Sequence, residues 1–251
     1  MGQGLVPPGE VTEVRAARTL VIAPHFDDEL FGCGGLIAKL VDGGGRVEVL
    51  HLSDSTGGAE TGGGDDYAER RRLEAERGLA VLGVTDLHLA GLPDGRLEHH
   101  LEEAAAAIRE RLLAGPFDLV LAPSPLEASA DHRAAFAALH RVLTPLRGGT
   151  PLDDAVARLE ILLYEVNHPA YPDLLVDVGA VVDRLARAIE QHVSQLALHN
   201  YRDAILGLRR HRTLSLPPSV TAAEGFCRLT ADDFRTRSLA GLVRALGGVP
   251  E

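Results

Sequence analysis

Through roughly its first 145 residues the chain alternates short β-branched apolar runs with segments of helical period, an order that few architectures can accommodate. Thr19–Ala23 (TLVIA) has the pattern of a buried strand, and Leu36, Ile37 and Leu40 mark one face of a helix over 31–41. Asp42-Gly43-Gly44-Gly45 ends that helix, because glycine adopts the left-handed backbone common at helix C-termini, and Arg46–Leu52 (RVEVLHL) follows as a second strand. Further strands are expected at 86–92, 119–122, 159–166 and 174–178, and helices at 67–82, 101–113, 131–143 and, as one long element, 181–198. Such alternation predicts an α/β fold: a doubly wound, mostly parallel sheet with helices on both faces, joined by right-handed crossovers. With 251 residues and no evident repeat or linker, one domain over 1–251 is the expectation.

Charge and cysteine content remove several function classes. Asp and Glu outnumber Lys and Arg by 36 to 25, for a net charge of −11, so the chain lacks the positive field that nucleic acid or an anionic membrane surface requires. No apolar stretch approaches bilayer length, and the opening MGQGLVPPGE lacks the basic-then-apolar order of a signal peptide, so a cytoplasmic protein without stable membrane association is expected. Cys33 and Cys227 form no CxxC pair, which leaves histidine and carboxylate as the ligands for any metal. Lys39 is the sole lysine and lies inside a helical pattern, unsuited to a phosphate-binding loop or a Schiff base.

The chemistry concentrates at two strand ends. The first strand runs into Pro24-His25-Phe26-Asp27-Asp28-Glu29, more charge than packing needs, at the edge where open α/β sheets bind ligands. His25 and Asp28 are three residues apart, so in an incipient helix they converge while Asp27 points aside. The fourth strand ends in a segment leading to Ser129, Asp131 and His132, and His132 falls in line with Phe136, Leu139 and Leu143, the buried stripe of the next helix. Two imidazoles and a carboxylate with room for water suit Zn2+ acting as a hydrolytic metal, with His25, Asp28 and His132 as ligands and Asp27 as general base.

Ala23-Pro-His-Phe-Asp-Asp-Glu29 followed by Gly32-Cys-Gly-Gly35 resembles the opening motif of the LmbE-like, or PIG-L, zinc deacetylases, which remove acetyl from N-acetylglucosamine-type substrates in thiol, glycolipid-anchor and antibiotic synthesis. Arg71-Arg-Leu-Glu74, Leu92-Pro-Asp94-Gly95, Tyr164-Glu-Val166, Val193-Ser-Gln195 and Ala223-Glu-Gly-Phe226 extend the likeness over most of the chain. It implies a Rossmann-like fold whose C-terminal part, about 151–251, completes the substrate pocket. It also implies a small amino-sugar conjugate as substrate, Arg71, Asp94 and Ser129 as substrate-binding residues, and relatives that form homo-oligomers. One position departs: the family's second motif reads His-x-Asp-His, and here Ser129-Ala-Asp-His132 replaces an imidazolium with a hydroxyl.

Other readings compete residue by residue. Arg71 also fits an i, i+3 ion pair with Glu74, Asp94 an ordinary Pro-Asp-Gly turn, and Asp131 either a helix N-cap or a partner that orients a ligating histidine. The loop over 56–64 is a lid or slack, Leu208–Arg212 a basic turn or an anion site, and His168 a candidate substitute acid. His51, His88, His99, His100, His140, His192 and His199 have the surroundings of surface or core residues, the alternative reading for His168 as well. A nucleotide-binding reading of Gly32-x-Gly34-Gly35 fails because carboxylates intervene where a pyrophosphate needs bare N–H groups. A degenerate member that binds without turnover stays open.

Overall fold

A computed structural model describes residues 8–57, 64–146 and 148–247. Seven strands, β1 Arg18–Ala23, β2 Arg46–Ser53, β3 Asp86–Leu92, β4 Leu119–Pro123, β5 Glu160–Tyr164, β6 Leu174–Asp177 and β7 Ala223–Thr230, form one sheet in the order β3-β2-β1-β4-β5-β7-β6. The first five are parallel, as the alternation requires, while β7 runs antiparallel between β5 and β6. The helices are α1 Asp28–Asp42, α2 Gly64–Leu82, α3 Leu101–Leu113, α4 Ala130–Leu143, α5 Pro151–Ala155, α6 Val182–Ile189, α7 Val193–Leu196, α8 Tyr201–His211, α9 Ala231–Thr236 and α10 Leu239–Leu246. Among the described residues no helix is long and apolar enough to cross a membrane.

The sheet separates two apolar layers because successive strand side chains point to opposite faces. Leu20 and Ile22 of β1 join Val120 and Ala122 of β4 in the layer under α3 and α4, while Val21, Ala23, Leu119 and Leu121 join the layer under α1 and α6. Buried on both faces, these strands are nearly continuous apolar runs, which is why they were legible.

The expected long helix over 181–198 is broken. A 3-10 turn at Gly179–Val181 leads into α6, and the chain leaves helical geometry at His192 (φ −83, ψ 56) before α7 begins. The His192 ring is fully buried, edge-on to Phe31 at 5.8 Å, so tertiary packing overrides a periodicity that both pieces satisfy separately.

Helix α1 carries the distortion behind the Gly-Cys-Gly-Gly motif. Cys33 leaves helical geometry (φ −141, ψ 20), and the bond that would join Gly35 N–H to the Phe31 carbonyl is replaced from outside. Gly35 and Leu36 N–H donate to the buried Glu224 carboxylate at 2.9 and 2.8 Å, and Arg209 donates to the Phe31 carbonyl and to Glu224. An ion pair thus satisfies the backbone groups freed by the kink. Gly32 lets the Tyr164 ring approach, since an added Cβ would lie 2.2 Å from it, while the Tyr164 hydroxyl donates to the Ile22 carbonyl of β1 at 2.8 Å. Gly32→Ala is therefore expected to destabilise the fold by about 1–3 kcal/mol in urea unfolding, as overpacking does. Gly207→Ala, where nothing lies within 4 Å, should be neutral or mildly stabilising. Equal midpoints for the two variants would contradict this account of the motif.

Candidate metal centre

Strands β1 and β4 are neighbours, and the helices that follow them, α1 and α4, leave toward opposite faces, opening a crevice at the strands' C-terminal ends. His25 lies between β1 and α1, Asp28 opens α1, and His132 sits in the first turn of α4. The three meet across the crevice. Asp28 Oδ2 accepts from the His25 backbone N–H at 2.9 Å and lies 3.0 Å from His25 Nδ1, while Asp28 Oδ1 lies 3.1 Å from His132 Nε2. One ligand atom from each residue falls within 4.8 Å of the others, so the trio could hold a metal ion.

Burial and mutual charge compete here. Burial disfavours charge on Asp28, but the His132 and His25 imidazoles overcome it and hold the carboxyl well below its ordinary range. Burial likewise works against a charged His132, yet Asp28 prevails and raises its pKa to about 9. His25 moves in the same direction against its own burial, through Asp28, Asp131 and Asp94.

The neighbouring carboxylates orient rather than crowd this trio. His25 Nε2 lies 3.0 Å from Asp94 Oδ1 and 3.2 Å from Asp131 Oδ2. Asp131 also accepts from Gly95 and Leu97 N–H at 2.7 and 3.1 Å, tying the loop after β3 to α4. It is not the N-cap of α4, a position held by Ser129 without a side-chain capping bond. Of its two expected roles, orientation of a histidine is the one its contacts support.

Asp27 precedes α1 and makes no capping bond there, leaving its carboxylate to Arg71 Nη2, which donates at 3.0 Å. Burial raises the Asp27 pKa, Arg71 opposes that and Asp28 reinforces it, leaving Asp27 at about 6. Arg71 Nη1 donates to the Ser55 carbonyl at 2.9 Å. Ser55 occupies the left-handed region (φ 53), uncommon without glycine, and its Oγ accepts from Phe26 N–H, so the loop after β2 is strapped to the motif. The expected Arg71–Glu74 pair does not form: Glu74 instead accepts from the Ser194 N–H and hydroxyl at 3.1 and 2.6 Å.

These residues line one cavity of about 230 Å³: His25, Asp27, Asp28 and His132 together with Arg71, Asp94 and Ser129. Phe31, Asn167, Gln195 and Tyr201 line it too, although the motif spacing singled out none of them for this cavity. Glu127 was also not anticipated. Its carboxylate is buried, accepts from Val166 and Asn167 N–H at 2.6 and 3.0 Å, and lies 3.3 Å from His132 Nδ1. Its signal was a carboxylate four residues after the end of a fully buried strand.

Several other expectations dissolve into structure. Arg209 and Arg212 of the basic turn form ion pairs with Glu224 and Glu165, and His168 is exposed and does not line the cavity. Among the described residues two further groups could hold a metal: His25 with Asp94 and Asp131, which shares its imidazole with the trio, and Glu48, Asp86 and His88 at the other end of the sheet, where Arg18, Arg46 and Arg111 already pair with the carboxylates. Residues 58–63 of the candidate lid lie outside the described residues.

Residues 20–143 match the protein family described as PIG-L, GlcNAc-PI de-N-acetylase. Diacetylchitobiose deacetylase of Thermococcus kodakarensis is 32% identical over 193 residues, covering 71% of this chain and 70% of that one. The 2'-N-acetylparomamine deacetylase of Streptomyces fradiae is 26% identical over 231 residues, covering 78% and 80%. Among solved structures, N,N'-diacetylchitobiose deacetylase from Pyrococcus horikoshii superposes with a TM-score of 0.72 over 90% of this chain and 89% of that one, at 23% identity, which establishes the shared fold.

The His132 pKa of about 9 exceeds the ~6.5 of an unfolded histidine, so its contribution to stability is complete below ~6.5 and is lost as pH rises through about 9. Chelator-treated protein should therefore lose roughly 1–3 kcal/mol of unfolding free energy between pH 6 and pH 9. Asp28→Asn should flatten that slope. Urea midpoints that rise over the same interval in the unsubstituted protein would contradict the assignment.

Proposed function

The chain belongs to the PIG-L family of de-N-acetylases, and on that premise we propose that it is a Zn2+-dependent amide hydrolase that removes acetyl from an N-acetylglucosamine-type sugar conjugate. The observation that carries this reading is the convergence of His25, Asp28 and His132 donor atoms within 4.8 Å, beside Asp27 in one cavity. Two imidazoles and one carboxylate are the donor set of catalytic zinc sites, which keep a position open. Each imidazole has a carboxylate behind its second nitrogen: Asp94 and Asp131 for His25, and Glu127 for His132. The residues therefore fit the ion.

Bound there, the metal supplies a Lewis acid beside the scissile carbonyl and lowers the pKa of water. Asp27, poised at about 6, takes a proton from the attacking water and delivers it to the departing nitrogen, so that amide and water become acetate and amine. Arg71 orients that carboxylate and keeps its charge partly neutralised. Ser129 offers a hydroxyl hydrogen bond to the carbonyl oxygen as charge develops, a weaker stabiliser than an imidazolium. Residues 151–251 contribute Asn167, Gln195 and Tyr201 to the wall, consistent with one domain acting as a unit. The acidic net charge suits a small neutral or cationic amino sugar in the cytoplasm rather than nucleic acid or an anionic membrane.

Acetate release from a panel of N-acetylglucosamine conjugates should vanish with chelator and return with zinc. Asp27→Asn should lower kcat by about 10²–10⁴ while calorimetric zinc affinity stays within a few-fold. An unchanged rate removes Asp27 as base. Ser129→His should raise or preserve turnover, and a marked fall with metal still bound would contradict the role given to Ser129.

A further inference from the structure

Gln195, in the short helix α7, has its amide turned one way by a chain of hydrogen bonds. Ser194 Oγ lies 2.6 Å from Glu74 Oε2 and gives its single proton to that carboxylate, which can only accept. Ser194 Oγ is then an acceptor toward Gln195, so the group facing it at 3.3 Å is the Gln195 NH2. The same NH2 donates to the Tyr67 hydroxyl at 2.9 Å. Both amide protons are thereby committed to the protein. Gln195 nonetheless lines the cavity, and its Oε1 has no partner among the described residues.

Such an atom is a fixed acceptor. A flip that offered a donor to the cavity would set Gln195 Oε1 against Ser194 Oγ, whose proton is already given to Glu74, so the present sense is the favoured one, and Tyr67 and Glu74, which stand on α2 and fix it, are buried. Across the same cavity, Asp27 and Asp28 serve the reacting end and Arg71 is engaged with Asp27. We propose that Gln195 is a specificity-determining residue whose Oε1 accepts a hydrogen bond from one ring hydroxyl of the bound amino sugar, with Tyr67 and Ser194 as the positioning residues that hold its amide in that sense. This rests on the deacetylase reading and deepens it: the wall formed by α7 selects ligands that present a hydroxyl donor and rejects those that present only an acceptor, because an unmet acceptor there faces a lone pair.

The test is kcat/KM for acetate release by the zinc-loaded enzyme from a methyl N-acetylglucosaminide and its 3-, 4- and 6-deoxy analogues, measured for the unsubstituted protein, Gln195→Ala and Tyr67→Phe. Gln195→Ala should lower kcat/KM on the parent about tenfold, mainly through KM, and should show no loss on the one analogue that lacks the partner hydroxyl. Tyr67→Phe should show a smaller loss with the same analogue dependence. Equal losses on the parent and all analogues, or no loss on the parent, would overturn the proposal. If Gln195→Ala does not fold by circular dichroism, Gln195→Met keeps the volume and takes its place. If the unsubstituted protein turns over none of these compounds, the deacetylase reading fails separately, and the contact is read from calorimetric Kd values for methyl glucosaminide and its deoxy analogues. A tenfold weakening by the substitution, absent for one analogue, supports the contact, and absent or unchanged binding overturns it.

Discussion

The Asp28 carboxylate is shared by two imidazoles from different parts of the sheet, and most of the site's geometry follows from that sharing. One oxygen holds His25 and its backbone N–H at the end of β1, and the other faces His132 at the start of α4. Because β1 and β4 are adjacent while their following helices diverge, this carboxylate spans the crevice that the topology opens. A buried carboxylate in that position is costly alone and stable only with its partners.

Around this centre, ordinary backbone needs and functional needs are met by the same side chains. Glu127 satisfies three loop N–H groups and backs His132. Asp131 satisfies two in the loop after β3 and backs His25. Glu224 and Arg209 repair the kink in α1, whose first turn carries Asp28. Removing any of these leaves a buried group unpaired, so effects on fold and on metal affinity should be entangled at such positions.

Much of the fold was legible in the sequence because strands buried on both faces are continuous apolar runs and the helices between them keep one apolar stripe. Asp86–Leu92 and Leu101–Leu113 coincide with the expected bounds. Strand β7 was not legible: AEGFCRLT carries a glutamate and a glycine whose reasons, the kink in α1 and the approach of Pro172 at 3.1 Å to any added Cβ, are tertiary. The break at His192 was hidden for the same reason. That His25, Asp27, Asp28 and His132 would meet in one crevice was legible because charge at the end of a buried strand has no packing explanation. Arg71 was misjudged by local spacing, since its true partners, Asp27 and Ser55, are remote in sequence. Gln195 was visible as part of a motif, but its orientation depends on Glu74 and Tyr67 and could not be read from α7 alone.

The central claim is that one cation is held by His25, Asp28 and His132 together. X-ray absorption at the zinc edge of stoichiometrically loaded protein measures it most directly. The account predicts a first shell of nitrogen and oxygen with the outer-shell scattering of two imidazoles, falling to one imidazole in His132→Ala. A shell of oxygen alone, a sulfur ligand, or a spectrum unchanged by His132→Ala would contradict it.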